Sequence, residues 1–485
     1  MKQIVIFIWL TLLLFLLNIF GVNAQNGAWT PTGADYSYPR TLLKASDLPA
    51  IQQSLTTPDI YTLYSGVYSN GSSAVPANNS TSNERRARAQ KAKNAAFILL
   101  LDRKPAGSNT VEPLTATQRT QLETNLLLLL ENINTAVENS YSYTEWQWRS
   151  KELIDYLIAY DLMRGAGVSE TTLAASKAKL QLFASNLYTE STKNAFIVGV
   201  FFNTAKNNHA LMTAAALGMA AVVLNDATGT TASQQPQSWI NVGLYHIDNV
   251  LWHDAKRQSI PGVVAGYAEG PYYFKYAFLN CLPFIRAMGH FLPDMHVSCT
   301  WSSTTRSIRN PWHDPNYDNL YSWAAAILMP DGRLPALEDS YIDMGMPELA
   351  LTGKPQHVRQ MNFSKFETGQ LNSLNKQLAD VTVDMRAAYI AANINTTVHA
   401  SEASLTALPE SGNLVFRSGS GQSNNIYLHI YGKNGSMLSN SGGHNQGDAG
   451  SFMLHAYGQL LALDPGYLSY SRRSELGNAY NHNLI

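Results

Sequence analysis

The spacing of apolar residues changes once along this chain, and that change limits what it can fold into. From about Leu42 to Ala392 apolar residues recur at helical intervals, whereas from about Ser401 they alternate or cluster as in strands. The segment Thr117–Val137 puts Leu122, Leu126, Leu129, Leu130 and Ile133 on one broad stripe. Trp146–Leu162 repeats the pattern through Leu153, Leu157 and Tyr160, and Leu173–Leu187 follows. Leu211–Leu224 is rich in Ala, Gly and Met, which suits a helix packed closely on several sides; Phe278–Leu292 and Tyr321–Leu328 continue the series. Successive helices with short connections predict paired helices in an α/α arrangement. Beyond the switch, Asn413–Arg417, Asn425–Tyr431 and Ser451–Tyr457 carry β-formers between Gly, Ser and Asn turns, which predicts an antiparallel β region. The expected division is a helical domain over 25–395 and a β domain over 396–485. The β part reaches Ile485 with fewer strands than a sandwich needs, which predicts a fragment or an unusually short domain.

The N-terminus predicts the compartment. Lys2 precedes an apolar run from Ile4 to Phe20, closed by Val22-Asn23-Ala24 and polar Gln25. This is the order of a cleaved secretory signal over residues 1–24, with an uncleaved anchor helix as the alternative. The expected location is secreted or periplasmic, with no membrane contact once the signal is removed. Only two cysteines occur, Cys281 and Cys299, and they either pair or stay as buried thiols. At 485 residues the chain can bury large cores without such staples and suggests two or three domains. Its net charge of −1 excludes the strong basic bias of a general nucleic-acid binder, so an acidic ligand has to be met by a local patch.

Four clusters can carry chemistry. Lys206-Asn207-Asn208-His209 opens the Ala-rich helix; alone, it reads as a cap. Glu269-Gly270-Pro271-Tyr272-Tyr273 leads into an aromatic helix, where tyrosines usually pack. Pro330-Asp331-Gly332-Arg333-Leu334-Pro335, followed by Glu338-Asp339-Ser340, is by itself only a turn. The fourth runs from Gly443-His444-Asn445-Gln446-Gly447-Asp448-Ala449-Gly450-Ser451-Phe452 through Leu461-Ala462-Leu463-Asp464-Pro465-Gly466-Tyr467 to Asn481-His482-Asn483.

Their order, Asn-His, Glu-Gly-Pro-x-Tyr, Gly-His-x-x-x-Asp-Ala-Gly-Ser-Phe, Leu-Asp-Pro-Gly and His-Asn, resembles the heparinase II/III-like polysaccharide lyases. That group includes alginate and oligoalginate lyases. The resemblance extends from about Tyr38 to the chain end and is most specific over Gly443–Gly466. It implies an α+β multidomain fold: an (α/α) toroid, an incomplete barrel of helical hairpins, followed by an antiparallel β-sandwich. It also implies β-elimination from a uronic-acid glycan, leaving a 4,5-unsaturated uronate. Such a site has to neutralise the uronate carboxylate, supply a base for the C5 proton and protonate the departing O4. Donors aimed at the developing charge are usually the largest contribution.

Carried onto this sequence, the resemblance makes Asn208 and His444 the carboxylate neutralisers. His209 becomes a base candidate, and Tyr273 the acid for the leaving group and also a base candidate, with Tyr272 as the alternative in the doublet. Lys206 and Arg333 would supply positive charge, and Glu269 joins them and Tyr272 on the substrate side. It further implies one structural divalent ion held by Gln446, Asp464 and His482. Gln446 stands where the family has His, which weakens zinc binding or favours a harder ion such as calcium. The alternative is a hydrogen-bonded Asp464–His482 pair. No organic cofactor is expected.

The near-neutral charge favours an acidic polysaccharide with little sulfation. Trp146, Trp148, Trp301, Trp312 and Tyr317 are either sugar-stacking platforms or core aromatics. A glycoside hydrolase would instead need two opposed carboxyls, for which Glu269, Asp331, Glu338 and Asp339 are available. A non-catalytic glycan-binding protein on the same scaffold is the reading from a different class.

Overall fold

A computed structural model describes residues 27–138, 143–195, 199–253, 266–341, 344–354, 357, 385–393, 403–419, 425–433, 444 and 446–485. The expected signal segment lies outside the described residues, as do Gly443 and Asn445 of the His444 motif. Among the described residues no helix is long and apolar enough to cross a membrane.

The N-terminal region is helical and the C-terminal region an antiparallel sheet. The helices are α1 (Leu48–Ser54), α2 (Pro58–Ser72), α3 (Ser82–Leu101), α4 (Ala116–Glu131), α5 (Tyr143–Gly165) and α6 (Ala174–Thr192). The short α7 (Phe201–Thr204), then α8 (Asn208–Val223), α9 (Pro236–Asp248), α10 (Gly270–Phe291) and α11 (Pro315–Ile327) complete the series. Three two-stranded ribbons interrupt it: β1 (Arg103–Gly107) with β2 (Thr110–Pro113), β3 (Asn194–Ala195) with β4 (Gly199–Val200), and β5 (His296–Trp301) with β6 (Thr304–Arg309).

Helix α8 is the hub, packed against α5, α9 and α10. Its small residues make that possible. A Cβ on Gly243 of α9 would stand 2.7 Å from Gly218 Cα, and one on Gly218 would stand 2.4 Å from the Phe284 ring of α10. Between α3 and α5 the interface is ionic: Arg85 meets Glu145 at 2.5 Å and Lys93 meets Asp155 at 2.6 Å. Both cysteines are buried free thiols, so the disulfide alternative is corrected. Cys281 approaches Leu211 O and Cys299 approaches Ile240 O. Trp146 and Tyr317 are core residues, 2% and 3% exposed, whereas Trp148, Trp301 and Trp312 are half-buried.

The last described helical stretch of this region covers 385–392. Strands β7 (Leu405–Leu408), β8 (Asn413–Ser418), β9 (Ile426–Tyr431), β10 (Ser451–Ala456) and β11 (Gln459–Ala462) then form one sheet in the order β11-β10-β9-β8-β7. Where a sandwich was expected, this is the single large sheet among the described residues. Alternation along β8 buries Asn413, Val415 and Arg417 and turns Leu414 and Phe416 outward. The inner face docks on the end of α11. Arg417 donates to Ala326 O (2.8 Å) and Leu328 O (2.6 Å), and the Tyr427 hydroxyl donates to Ile327 O (2.7 Å). A cation and a hydroxyl thus satisfy carbonyls that a helix C-terminus leaves open. A small apolar cluster of Ala268, Ala336, Leu337, Tyr431 and Met453 fills the rest of this joint.

Candidate active site

Three turns of the helical region and one loop of the sheet region meet at a buried carboxylate. The Asn207 side chain caps α8 by accepting from His209 N at 3.2 Å, which sets Asn208 at the first helical position. Glu269 precedes α10. Gly270, at φ 81°, lets the next turn of chain lie against it, since a Cβ there would stand 2.9 Å from Glu338 Cβ. Ser340 in that turn accepts from Tyr272 N at 2.9 Å, satisfying a first-turn N–H of α10.

Glu269 is fully buried. Its Oε2 accepts from Asn208 N (2.7 Å) and the Tyr267 hydroxyl (2.5 Å), and its Oε1 from Asn208 Nδ2 (3.0 Å). His444 Nε2 lies 3.3 Å from Oε1, while His444 Nδ1 lies 2.7 Å from Asp339 Oδ2. The Tyr273 ring packs on the imidazole with centroids 3.8 Å apart. Asp339 also accepts from Gln446 Nε2 (2.8 Å) and has Arg473 Nε 3.3 Å away. A knot holds the loop behind His444. Lys433 Nζ reaches the carboxylates of Glu338 and Asp448, each at 3.0 Å, and Glu338 accepts from Gln446 N at 2.7 Å.

Burial is the largest influence on the acidities here. It raises the Glu269 carboxyl, with the charge of His444 opposing. It raises the Tyr273 phenol, and the neighbouring Tyr467 adds to the effect. The phenol therefore holds its proton more tightly than a free tyrosine does. Burial also pushes Glu338 up to about 7, reinforced by Asp448.

Of the residues singled out in the sequence, four are linked in a chain, Asn208 to Glu269, Glu269 to His444 and His444 to Tyr273, and Gln446 joins them through Asp339. Tyr272 adjoins Tyr273, with ring centroids 4.9 Å apart. His209 follows on α8, half-buried. Arg333 turns onto Asp331 at 2.6 Å, a carboxylate that His455 also approaches, and Lys206 lies close enough to the buried His246 to depress its basicity. Glu269 holds Asn208, Tyr267 and His444.

The metal trio does not fit an ion. His482 Nδ1 lies 2.9 Å from Asp464 Oδ2 and Nε2 lies 2.7 Å from Leu476 O, so both nitrogens face acceptors and neither is bare to ligate. Burial opposes protonation of His482, but the bonds to Leu476 and Asp464 win and raise its pKa. The hydrogen-bonded pair is the arrangement present. Among the described residues no group of three His, Cys, Asp or Glu side chains is placed to hold a metal.

The sequence reasoning missed Tyr267 and Arg473, gave Tyr467 no role, and took Asp339 only as a spare carboxylate. Tyr467 directly follows the Leu-Asp-Pro-Gly motif, the one signal that pointed its way. Compared with family models the chain matches none, and no curated protein matches it.

Proposed function

We propose that the chain is a secreted polysaccharide lyase that cleaves uronic-acid glycans by β-elimination, on an (α/α) toroid joined to a β-sandwich. The observation that carries this reading is the convergence of Asn208 and His444 on one carboxylate beside the Tyr273 phenol. Donors already arranged around a carboxylate suit the carboxylate of a uronate, whose charge grows as C5 loses its proton. In this reading Asn208 and His444 neutralise that group by exchanging Glu269, which they hold in the free chain, for the substrate carboxylate. His209 takes the C5 proton, the electrons of the C5–H bond form C4=C5, and the C4–O4 bond breaks. Tyr273 protonates O4, the role the resemblance gives it. Glu269 and Asp339 orient Asn208 and His444. The acidic substrate, the leader segment and the absence of an organic cofactor follow from the sequence reading.

The same geometry weakens the hydrolase alternative. That chemistry needs two carboxyls flanking open space for the glycosidic bond. Here His444 stands between Asp339 and Glu269, and both carboxyls are buried.

Ultraviolet absorbance tests the reading, because elimination creates a conjugated C4=C5 bond and hydrolysis does not. With a panel of uronate polysaccharides, absorbance rises for at least one. Tyr273→Phe and His444→Ala each lower the rate about 10²–10⁴-fold. New reducing ends without absorbance would sink the lyase in favour of a hydrolase, and retained glycan with neither signal would leave a binding protein.

A further inference from the structure

The aromatic packing does not stop at Tyr273. Along α10, Tyr276 lies one turn beyond Tyr272 and Tyr273, with its ring centroid 6.0 Å and 6.4 Å from theirs. Tyr276 in turn hydrogen-bonds the indole of Trp148, which has only an N–H to give. The guanidinium of Arg86 stands over the Trp148 ring at 5.9 Å. Arg86 comes from α3, Trp148 from α5 and the tyrosines from α10, so three helices contribute to one continuous strip. Tyr272, Tyr273, Tyr276, Trp148 and Arg86 are all half-buried rather than core. The charge of Arg86 is felt at both Tyr276 and Tyr272.

From this strip we infer that Arg86 and Trp148 form a distal subsite, which binds a uronate residue of the same glycan away from the bond being cut. This rests on the lyase reading for the position of the cut. Aromatic faces accept the apolar face of a sugar ring, and a guanidinium matches a carboxylate in a two-pronged geometry that an ammonium lacks. Arg86 gives the far end of the strip a cation, and the run of rings back to Tyr273 gives it length. That pattern selects an acidic oligosaccharide over a neutral one, and a chain over a single sugar.

The test is calorimetric titration of the full chain carrying Tyr273→Phe with uronate oligosaccharides of increasing length. Affinity rises once the oligosaccharide spans the strip. Arg86→Gln and Trp148→Ala each remove that rise, about tenfold, the worth of one charge-assisted contact. Arg86→Lys restores part of it. Neutral oligosaccharides of equal length gain nothing from Arg86. Should Trp148→Ala fail to fold, Arg86→Gln at a half-buried position carries the test. A length dependence unchanged in Arg86→Gln, or no uronate binding at any length, overturns the subsite. Length-dependent binding that needs Arg86, in a wild type that never raises the absorbance, keeps the subsite and removes the elimination chemistry.

Discussion

Glu269 shows how one buried residue organises others. An isolated carboxylate in that position would be very costly, and four approaching donors offset the loss of water. Its role as an organiser was hidden in the sequence, where Glu-Gly-Pro reads as a helix start. Asp339 was hidden for the same reason: nothing in a turn of Glu, Asp and Ser reveals a histidine more than a hundred residues away. Arg333 looked like an available cation because its partner Asp331 sits just two residues before it, a pairing that spacing alone does not rank. Asn208, Tyr273 and His444 were nameable from the order of the motifs, and their contact is a fact of the fold. His246 makes a sharper prediction. It stacks on Phe202 at 4.3 Å, neither ring nitrogen has a hydrogen-bond partner, and burial lowers its pKa to about 3. Below about pH 6.5 the unfolded chain binds a proton there and the folded chain does not, so stability falls as pH drops from about 6.5 toward 3. His246→Phe removes that dependence. Between pH 7 and pH 5 the wild type loses about 2 kcal/mol more than the variant in urea unfolding, and parallel pH profiles would refute the assignment.

At the scale of elements, the sequence was readable where one face is apolar. Expected helices at 117–137, 146–162, 173–187, 211–224, 278–292 and 321–328 correspond to α4, α5, α6, α8, α10 and α11, with shifted ends. Helix α3 escaped notice because it has no stripe to read: it buries Arg85, Arg88, Lys91 and Lys93 together with its apolar end, and ion pairs make that tolerable. The β5–β6 hairpin escaped too, since Trp301, Ser302, Ser303 and Thr304 do not form the Asn-Gly type of turn, yet both serines adopt positive φ. The α8–α9 crossing carries a prediction of its own. The methyl added by Gly243→Ala would press on Gly218 Cα and stand 3.0 Å from Ala214 O, forcing the helices apart. The expected loss is about 1–3 kcal/mol in urea unfolding. An unchanged midpoint would mean that the glycines do not set the helix separation.

At the scale of the whole molecule, chemistry and bulk stability sit in different places. The large apolar core is mostly helical; the sheet adds only Leu408, Val415 and Tyr427 to it and is otherwise joined by a five-residue apolar cluster, the Arg417 and Tyr427 caps on α11 and the Glu338–Lys433–Asp448 knot. His444 arrives from the sheet side of that joint and Asn208 and Tyr273 from the helical side. Regions with few buried contacts open at lower free energy than the core around them. Rising urea should therefore abolish the proposed elimination at a lower concentration than it abolishes helical ellipticity, with activity returning on dilution. Coincident loss of the two would mean that sheet and helices unfold as one unit. The joint would then act as a fuse, giving way first and disconnecting the chemistry while the costly part of the structure survives to be reset.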